Sequence, residues 1–453
     1  MSARFLSVAL PLPLPRLFDY LPPLADDALP VVGARVRVPF GSRELIGVVV
    51  ATGAIGEADS APAALKAALA TIDRDPLFGG ELLESLRWLA RYTHAPLGEV
   101  LATALPGPLR HGAPLPDTHG WAWRLTEAGQ TARERLRPGR PRRLAERLRD
   151  GPCDEDLLDQ DFDDWRGAAR ALAKRELAER IAVPATKAAP VPQPGPMLNL
   201  EQQAAVAALL AARDGFAALL LDGVTGSGKT EVYLHAIADC LAQGRQALVL
   251  VPEIGLTPQT LARFRARLGV PVHVLHSGLG DAERARTWAA CARGEARVVV
   301  GTRSAIFLPL PEAGLVIVDE EHDASFKQLD GIRYHARDFA LVRAKALGVP
   351  VLLGSATPSL ESLRNAHAGR YTHLRLRHRA GNAQPPTVRV VDVRKRPLLA
   401  GLSPELVAAI AVALDAGGQV LVFKNRRGYA PVLLCHDCGW SAQCRRCSTP
   451  TQG

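Results

Sequence analysis

Residues 217–230 read AALLLDGVTGSGKT. An apolar run leads straight into Gly223-Val224-Thr225-Gly226-Ser227-Gly228-Lys229-Thr230, which fits G-x-x-x-x-G-K-[ST]. Glycines at this spacing let successive backbone N–H groups converge on one concavity at a helix N-terminus, a ready site for phosphate. The run before the glycines has the length and texture of a buried strand. TEVYLHAIADCLAQG after them has a helical period. In that context Lys229 reaches the β- and γ-phosphates of a nucleotide and the Thr230 hydroxyl takes a place on Mg²⁺.

The same texture recurs downstream. ALVLVPE (247–253), VVVGTRS (298–304), LVIVDEEH (315–322) and VLLGSATPS (351–359) each pair an apolar run with a small, hydroxyl or acidic motif. Continuous apolar runs alternating with helices indicate strands buried on both faces, hence a parallel α/β sheet with its site at the strands' carboxyl ends. At the end of LVIVDEEH, Asp319 is placed to hold Mg²⁺ and Glu320 to orient or deprotonate an attacking water; His322 follows. Thr302 and Arg303, and the segment Gly354-Ser355-Ala356-Thr357, bring small polar groups to strand ends where they can meet a phosphodiester or link it to the nucleotide.

Composition is that of a globular chain: 453 residues, 47% hydrophobic, 22% charged, with a formal net charge of +9. The charge favours a polyanionic partner but does not identify one. No run of about eighteen apolar residues suggests a membrane span, and the N-terminus lacks the features of a signal peptide, so a cytoplasmic, nucleoid-associated location is expected. Residues 1–110 carry short β-type runs and then a helical stretch. Residues 115–184 carry short helical patterns with a basic section at 133–149, either a solvated surface or a phosphate contact. A proline-rich linker spans 185–197. Seven cysteines are present; Cys153, Cys240 and Cys291 are scattered, whereas Cys435, Cys438, Cys444 and Cys447 form two C-x-x-C pairs in the tail. Close pairs without a secretion signal suggest metal more than disulfides, and four thiolates suffice for one Zn²⁺.

The order GVTGSGKTE, VPEIGLTPQT, HSGL, VVGTRSAIF, DEEHD, GSATPS resembles the superfamily 2 helicases, and its wording is similar to the PriA family of replication-restart helicases. The resemblance implies a RecA-like lobe over 198–398, preceded by a β-rich domain binding DNA 3′ ends (1–110) and a winged-helix-like domain (115–184). It implies an ATP-dependent 3′→5′ DNA helicase that recognises abandoned forks and starts primosome assembly. ATP, Mg²⁺ and Zn²⁺ are the cofactors it implies. The partners are branched and single-stranded DNA, single-stranded DNA-binding protein, PriB, DnaT, and the replicative helicase with its loader; no membrane is involved and the protein is expected to be a monomer.

Residue by residue, the family pattern gives Gln202 the adenine and gives Phe18, Asp19, Tyr20, Gly41 and Lys66 the DNA 3′ end. Rings, a carboxylate and a flexible glycine suit stacking on a terminal base and bonding to a sugar hydroxyl. Residues 324–338 match the family's aromatic-rich loop, in which Phe326 and Tyr334 are expected as stacking surfaces and Lys327, Arg333 and Arg337 as phosphate contacts; Ile332 stands where tryptophan is expected. Residues 399–432 resemble the start of a second lobe and 433–453 the start of a cysteine-rich module in which eight cysteines hold two zincs. These 453 residues are therefore expected to stop before that lobe's arginines, binding nucleotide and DNA while being impaired in unwinding. The competing readings are another superfamily 2 translocase, or a DNA- and zinc-binding fragment without catalysis.

Overall fold

A computed structural model of the chain describes residues 4–24, 29–54, 65–155, 158, 162, 164–184, 191–380, 387–394, 396–423, 435, 438 and 440–442. It divides into two units, Met1–Ala383 and Gln384–Gly453. No helix among the described residues is long and apolar enough to cross a membrane.

The first unit opens with an antiparallel sheet of β1 (Arg4–Ala9), β2 (Phe18–Tyr20), β3 (Arg35–Phe40), β4 (Arg43–Ala54) and β5 (Ala70–Thr71), ordered β2-β1-β4-β3-β5. Next comes a helical unit carrying a three-stranded antiparallel sheet, β6 (His119–Leu125), β7 (Cys153–Asp154) and β8 (Ala178–Pro184), in the order β7-β6-β8.

The nucleotide-type motifs sit on β9 (Ala218–Gly223), β10 (Gln246–Leu250), β11 (Val272–Leu275), β12 (Val298–Gly301), β13 (Ala313–Asp319), β14 (Val351–Ser355) and β15 (Thr372–Leu376). Their order is β11-β12-β10-β13-β14-β9-β15, and every pairing is parallel. This is the expected RecA-like α/β lobe. All five apolar runs read from the sequence are strands, and their central residues are buried. β11 and β15 were not foreseen: VHVL and THLRL mix polar residues into short runs at the two sheet edges, where one flank needs no apolar cover. Local chemistry sets the helix starts. Asn199 and Gln202 make a reciprocal capping box for Leu200–Ala211, and Ser359 caps Leu360–His367.

The helix Gly80–Thr93 joins the N-terminal sheet to the parallel one. Glu81 accepts from Arg343 Nε at 3.0 Å and Nη2 at 2.7 Å, while Arg343 Nη1 donates to the carbonyls of Ile306 (2.6 Å) and Leu308 (2.8 Å). Beside this pair Trp88 stacks on Phe339 at 6.4 Å and 10°. Arg343 and Phe339 both lie on the helix Ala336–Leu347.

In the second unit Ser403 caps the helix Pro404–Asp415. The apolar runs flanking it, 388–393 and 419–423, do not pair as strands, and Val390, Leu421 and Phe423 stand exposed. A strand needs a neighbour to satisfy its backbone, and the described residues supply none.

Candidate nucleotide-binding site and DNA-end pocket

The glycine loop leaves β9 and enters the helix Lys229–Ala242. Gly226 and Gly228 have φ of +79° and +83°, a region open to glycine without strain. A Cβ on Gly228 would come within 2.3 Å of Gln202 Nε2. Lys229 Nζ donates to the Gly223 carbonyl at 3.1 Å and stands 3.8 Å from Glu320 Oε1. Val224, Thr225 and Gly226 are exposed along the loop, Thr230 is half-buried, and the buried Ser227 Oγ has no hydrogen-bond partner among the described residues. A cradle of amides, a poised ammonium and an unsatisfied hydroxyl fit a nucleotide polyphosphate.

β14 separates β9 from β13, so the acids face the loop across one strand. Asp319 accepts from the Tyr233 hydroxyl at 2.8 Å and from the Glu320 amide at 3.1 Å. Burial pushes its carboxyl above the ordinary aspartate range, against the opposing pull of the Tyr233 hydrogen bond. A carboxylate held in this way suits a divalent cation. Thr230 and Asp319 are the side chains that would hold Mg²⁺, whose chemistry there is to neutralise phosphate charge.

Glu320 has φ of +48°, the left-handed region that costs a residue with a side chain. That turn sets its carboxylate near Lys229 and 3.7 Å from His322 Nδ1. His322 Nδ1 lies 2.7 Å from Ser355 Oγ, and its Nε2 lies 3.4 Å from Thr357 Oγ1. The D-E-E-H turn thus touches the Gly354–Thr357 segment directly. Gly354 leaves room for Tyr233, whose hydroxyl would lie 1.8 Å from a Cβ there.

The sequence reading missed Glu321. It is fully buried, accepts from the Ser359 amide (2.7 Å), the hydroxyls of Ser359 (3.0 Å) and Ser362 (2.9 Å), and pairs with Arg337 at 3.0 Å. Arg337 is therefore a buried partner of the acidic turn and not the expected phosphate contact. Ser359 at the start of an apolar-periodic segment was the signal that an N-cap, and so an acceptor network, sits here.

The aromatic-rich loop also differs from expectation. Phe326 is 0% and Tyr334 3% exposed; Tyr334 packs edge-on to Phe307 at 4.8 Å. Neither ring presents a stacking surface, because both fill the core between the loop and the helix Ala336–Leu347. Arg333 is exposed, whereas Lys327 Nζ donates to the Arg333 carbonyl at 2.7 Å. Arg303 donates to the Ser325 carbonyl at 3.2 Å, and Thr302 is buried. Gln202 is buried too. Its oxygen accepts from the Asn199 amide at 2.9 Å and its nitrogen donates to the Ser227 carbonyl at 2.8 Å, which leaves one N–H for a base.

The five residues expected at a DNA end lie in one neighbourhood of the first sheet. Phe18 packs edge-on to Phe40 at 5.4 Å with the Arg16 guanidinium 4.8 Å from its ring centroid, and Gly41 follows Phe40 in an open turn with φ of +62°. The Lys66 carbonyl accepts from the Leu21 amide at 2.9 Å, which brings its exposed side chain beside β2. The alternation of the strand divides the set: Asp19 accepts from the Ser7 hydroxyl at 2.7 Å on one face, while Tyr20 is buried on the other with its hydroxyl on the Pro39 carbonyl. Tyr20 is thus a core ring and not a free stacking platform.

In the tail, Cys435 is half-buried and Cys438 exposed, while Cys444 and Cys447 lie outside the described residues. Among the described residues no three His, Cys, Asp or Glu side chains are grouped as a metal site.

The site yields one thermal prediction. A carboxyl whose pKa is raised by folding subtracts stability once ionised, and the loss sets in as pH rises toward its folded value. Asp319→Asn keeps the acceptor for Tyr233, so at pH 7 without Mg²⁺ it should melt about 2 °C above the parent. That gain should vanish below the unfolded carboxyl range, where the parent is also protonated. Thermal melts at two pH values check this; equal melting at pH 7 would contradict it.

Comparison with known proteins gives the following. Residues 7–106 match the family described as 3'DNA-binding domain (3'BD), and residues 199–366 match the DEAD/DEAH box helicase family. Replication restart protein PriA of Haemophilus influenzae is 43% identical over 457 residues, 99% of this chain and 62% of that protein. The protein of the same name from Treponema pallidum is 33% identical over 99% of this chain and 58% of its own length. That from Bacillus subtilis is 47% identical over 50% of this chain and 29% of its own. The chain thus spans about three fifths of the relatives that match it from end to end. Among solved structures, RecG bound to a three-way DNA junction matches 45% of this chain and 25% of its own at 25% identity, with a TM-score of 0.32.

Proposed function

Because the chain belongs to the PriA family of replication restart proteins, we propose that these residues are the nucleotide-binding and DNA-end-binding portion of an ATP-dependent 3′→5′ DNA helicase that acts at abandoned replication forks. The observation that carries this reading is the meeting of the glycine loop, the D-E-E-H turn and the Gly354–Thr357 segment along one edge of the parallel sheet. Lys229 and the loop amides bind phosphate, Glu320 orients water, and His322 with Ser355 and Thr357 relays the state of the site toward DNA-contacting segments. Duplex unwinding and the loading of primosome components belong to the whole protein, acting in the cytoplasm on branched DNA. The two tail cysteine pairs are read as ligands opening a zinc module, and metal analysis that returned no zinc would remove that part.

On the DNA side, the Asp19 carboxylate accepts from a terminal 3′ hydroxyl while Phe18 stacks on the last base. A fork with a free 3′ hydroxyl should bind more tightly than the same fork carrying a 3′ phosphate, which the carboxylate repels. Asp19→Ala should erase a preference of about tenfold. Fluorescence anisotropy with the two forks tests this; equal binding of both by the parent chain would refute the end-recognition reading.

A further inference from the structure

The strand order fixes a direction for a nucleotide lying in the glycine loop. β13 and its acids lie on one side of β9, beyond β14, and β15 flanks β9 on the other. Terminal phosphates belong on the side of Asp319 and Glu320, so the base lies toward β15. The segment that leaves β15 is held against the loop from outside. The Val224 amide donates to the Leu376 carbonyl at 3.1 Å, and the Ala380 amide donates to the Gly226 carbonyl at 2.8 Å. Glu201 anchors the stretch between them, accepting from the amides of Arg377 (2.8 Å) and His378 (3.2 Å), with His378 Nδ1 2.9 Å from its other oxygen. Residues 377–380 and Gln202 therefore brace adjacent carbonyls of the same loop, Gly226 and Ser227.

Arg379 sits in the middle of this brace. One peptide from Ala380, its Cα lies about 3.8 Å from the Cα whose amide touches the loop. It is half-buried, yet among the described residues its guanidinium has neither an ion pair nor a hydrogen bond; the nearby acid, Glu201, is already engaged by His378. Gln202 keeps a single N–H for a base, so its own contact leaves the face of the ring open. The geometry points to Arg379 as a nucleotide-binding residue that lays its planar cation over the base of a purine nucleotide whose phosphates occupy the glycine loop. A guanidinium is suited to such a face, being flat, permanently charged and weakly hydrated.

This inference rests on the glycine loop binding a nucleotide, and the test separates the two. Calorimetric titration of the full chain with ADP and Mg²⁺, and separately with tripolyphosphate, is run on the parent, Arg379→Ala, Lys229→Ala and Arg364→Ala, the last removing an exposed arginine elsewhere on the lobe. Arg379→Ala should weaken ADP by about fivefold, the scale of one partly desolvated cation–ring contact, and leave tripolyphosphate unchanged. Lys229→Ala should lose both ligands, and Arg364→Ala neither. ADP binding unaltered in Arg379→Ala but lost in Lys229→Ala would overturn the assignment of Arg379 while leaving the loop's role intact. Equal weakening of ADP and tripolyphosphate in Arg379→Ala would overturn the base-side placement. A parent chain that binds no ADP would overturn both readings.

Discussion

A Lys229→Ala chain should bind ADP with Mg²⁺ roughly a hundredfold more weakly than the parent while melting within about 1 °C of it. The ammonium rests on the Gly223 carbonyl at 3.1 Å, with Glu320 at 3.8 Å. On the proposed reading it exchanges that neutral acceptor for phosphate oxygens when a nucleotide enters, so its charge-assisted bonds to the ligand appear only in the complex. Removing it costs the complex those bonds and leaves the free protein one weak contact poorer. The difference is what makes the measurement selective. Calorimetric titration gives the affinity and a thermal melt gives the stability. An affinity within threefold of the parent would show that the glycine loop does not hold phosphate.

The largest stability effect is expected far from that loop. Arg343→Ala should destabilise the chain by about 3–5 kcal/mol, because it strands Glu81 without its partner and leaves the Ile306 and Leu308 carbonyls without their donor. Arg343 is fully buried and donates four hydrogen bonds in a fixed fork. Lysine cannot reproduce that fork, so Arg343→Lys should recover little. Glu81→Ala combined with Arg343→Ala should cost less than the two single changes added together, since each single change already breaks the shared pair. Denaturant unfolding monitored by tryptophan fluorescence reads this directly, with Trp88 packed beside the pair. A loss below 1 kcal/mol for Arg343→Ala would mean that the two sheets are joined by apolar packing alone.

How far the chain could be read without coordinates depended on how local the physics was. The strands carrying ALLLDG, VVVG and LVIVD were legible because a strand buried on both faces must be apolar throughout, and that requirement is written in the residues themselves. The glycine loop was legible for a similar reason, since its backbone angles demand glycine at set positions. Phe326, Tyr334 and Tyr20 were assigned to nucleic acid from the family pattern, but whether a ring stacks on a base or on its own core depends on residues far away in sequence. Phe307, which covers Tyr334, is such a residue. Arg337 and Glu321, sixteen positions apart, show the same limit: Arg337 was expected at phosphate and Glu321 was given no role, and the fold buries them together. Edge strands β11 and β15 escaped because an edge tolerates His273, His373 and Arg375 among its apolar residues. With β15 went residues 377–380, whose place beside the loop no motif announces.

The helix Ala336–Leu347 has a mechanical consequence. At its start Arg337 holds Glu321 beneath the acidic turn; six residues on, about 9 Å along the axis, Arg343 holds Glu81 of the N-terminal helix. A single rigid rod thus ties the nucleotide turn to the sheet that bears Phe18 and Asp19, and no loop lies between the two clamps to act as a hinge. Through that rod the N-terminal sheet and the acidic turn are held to one element of the same unit. A pair of dyes placed on the N-terminal sheet and on this lobe should therefore keep a constant separation when ADP and Mg²⁺ are added.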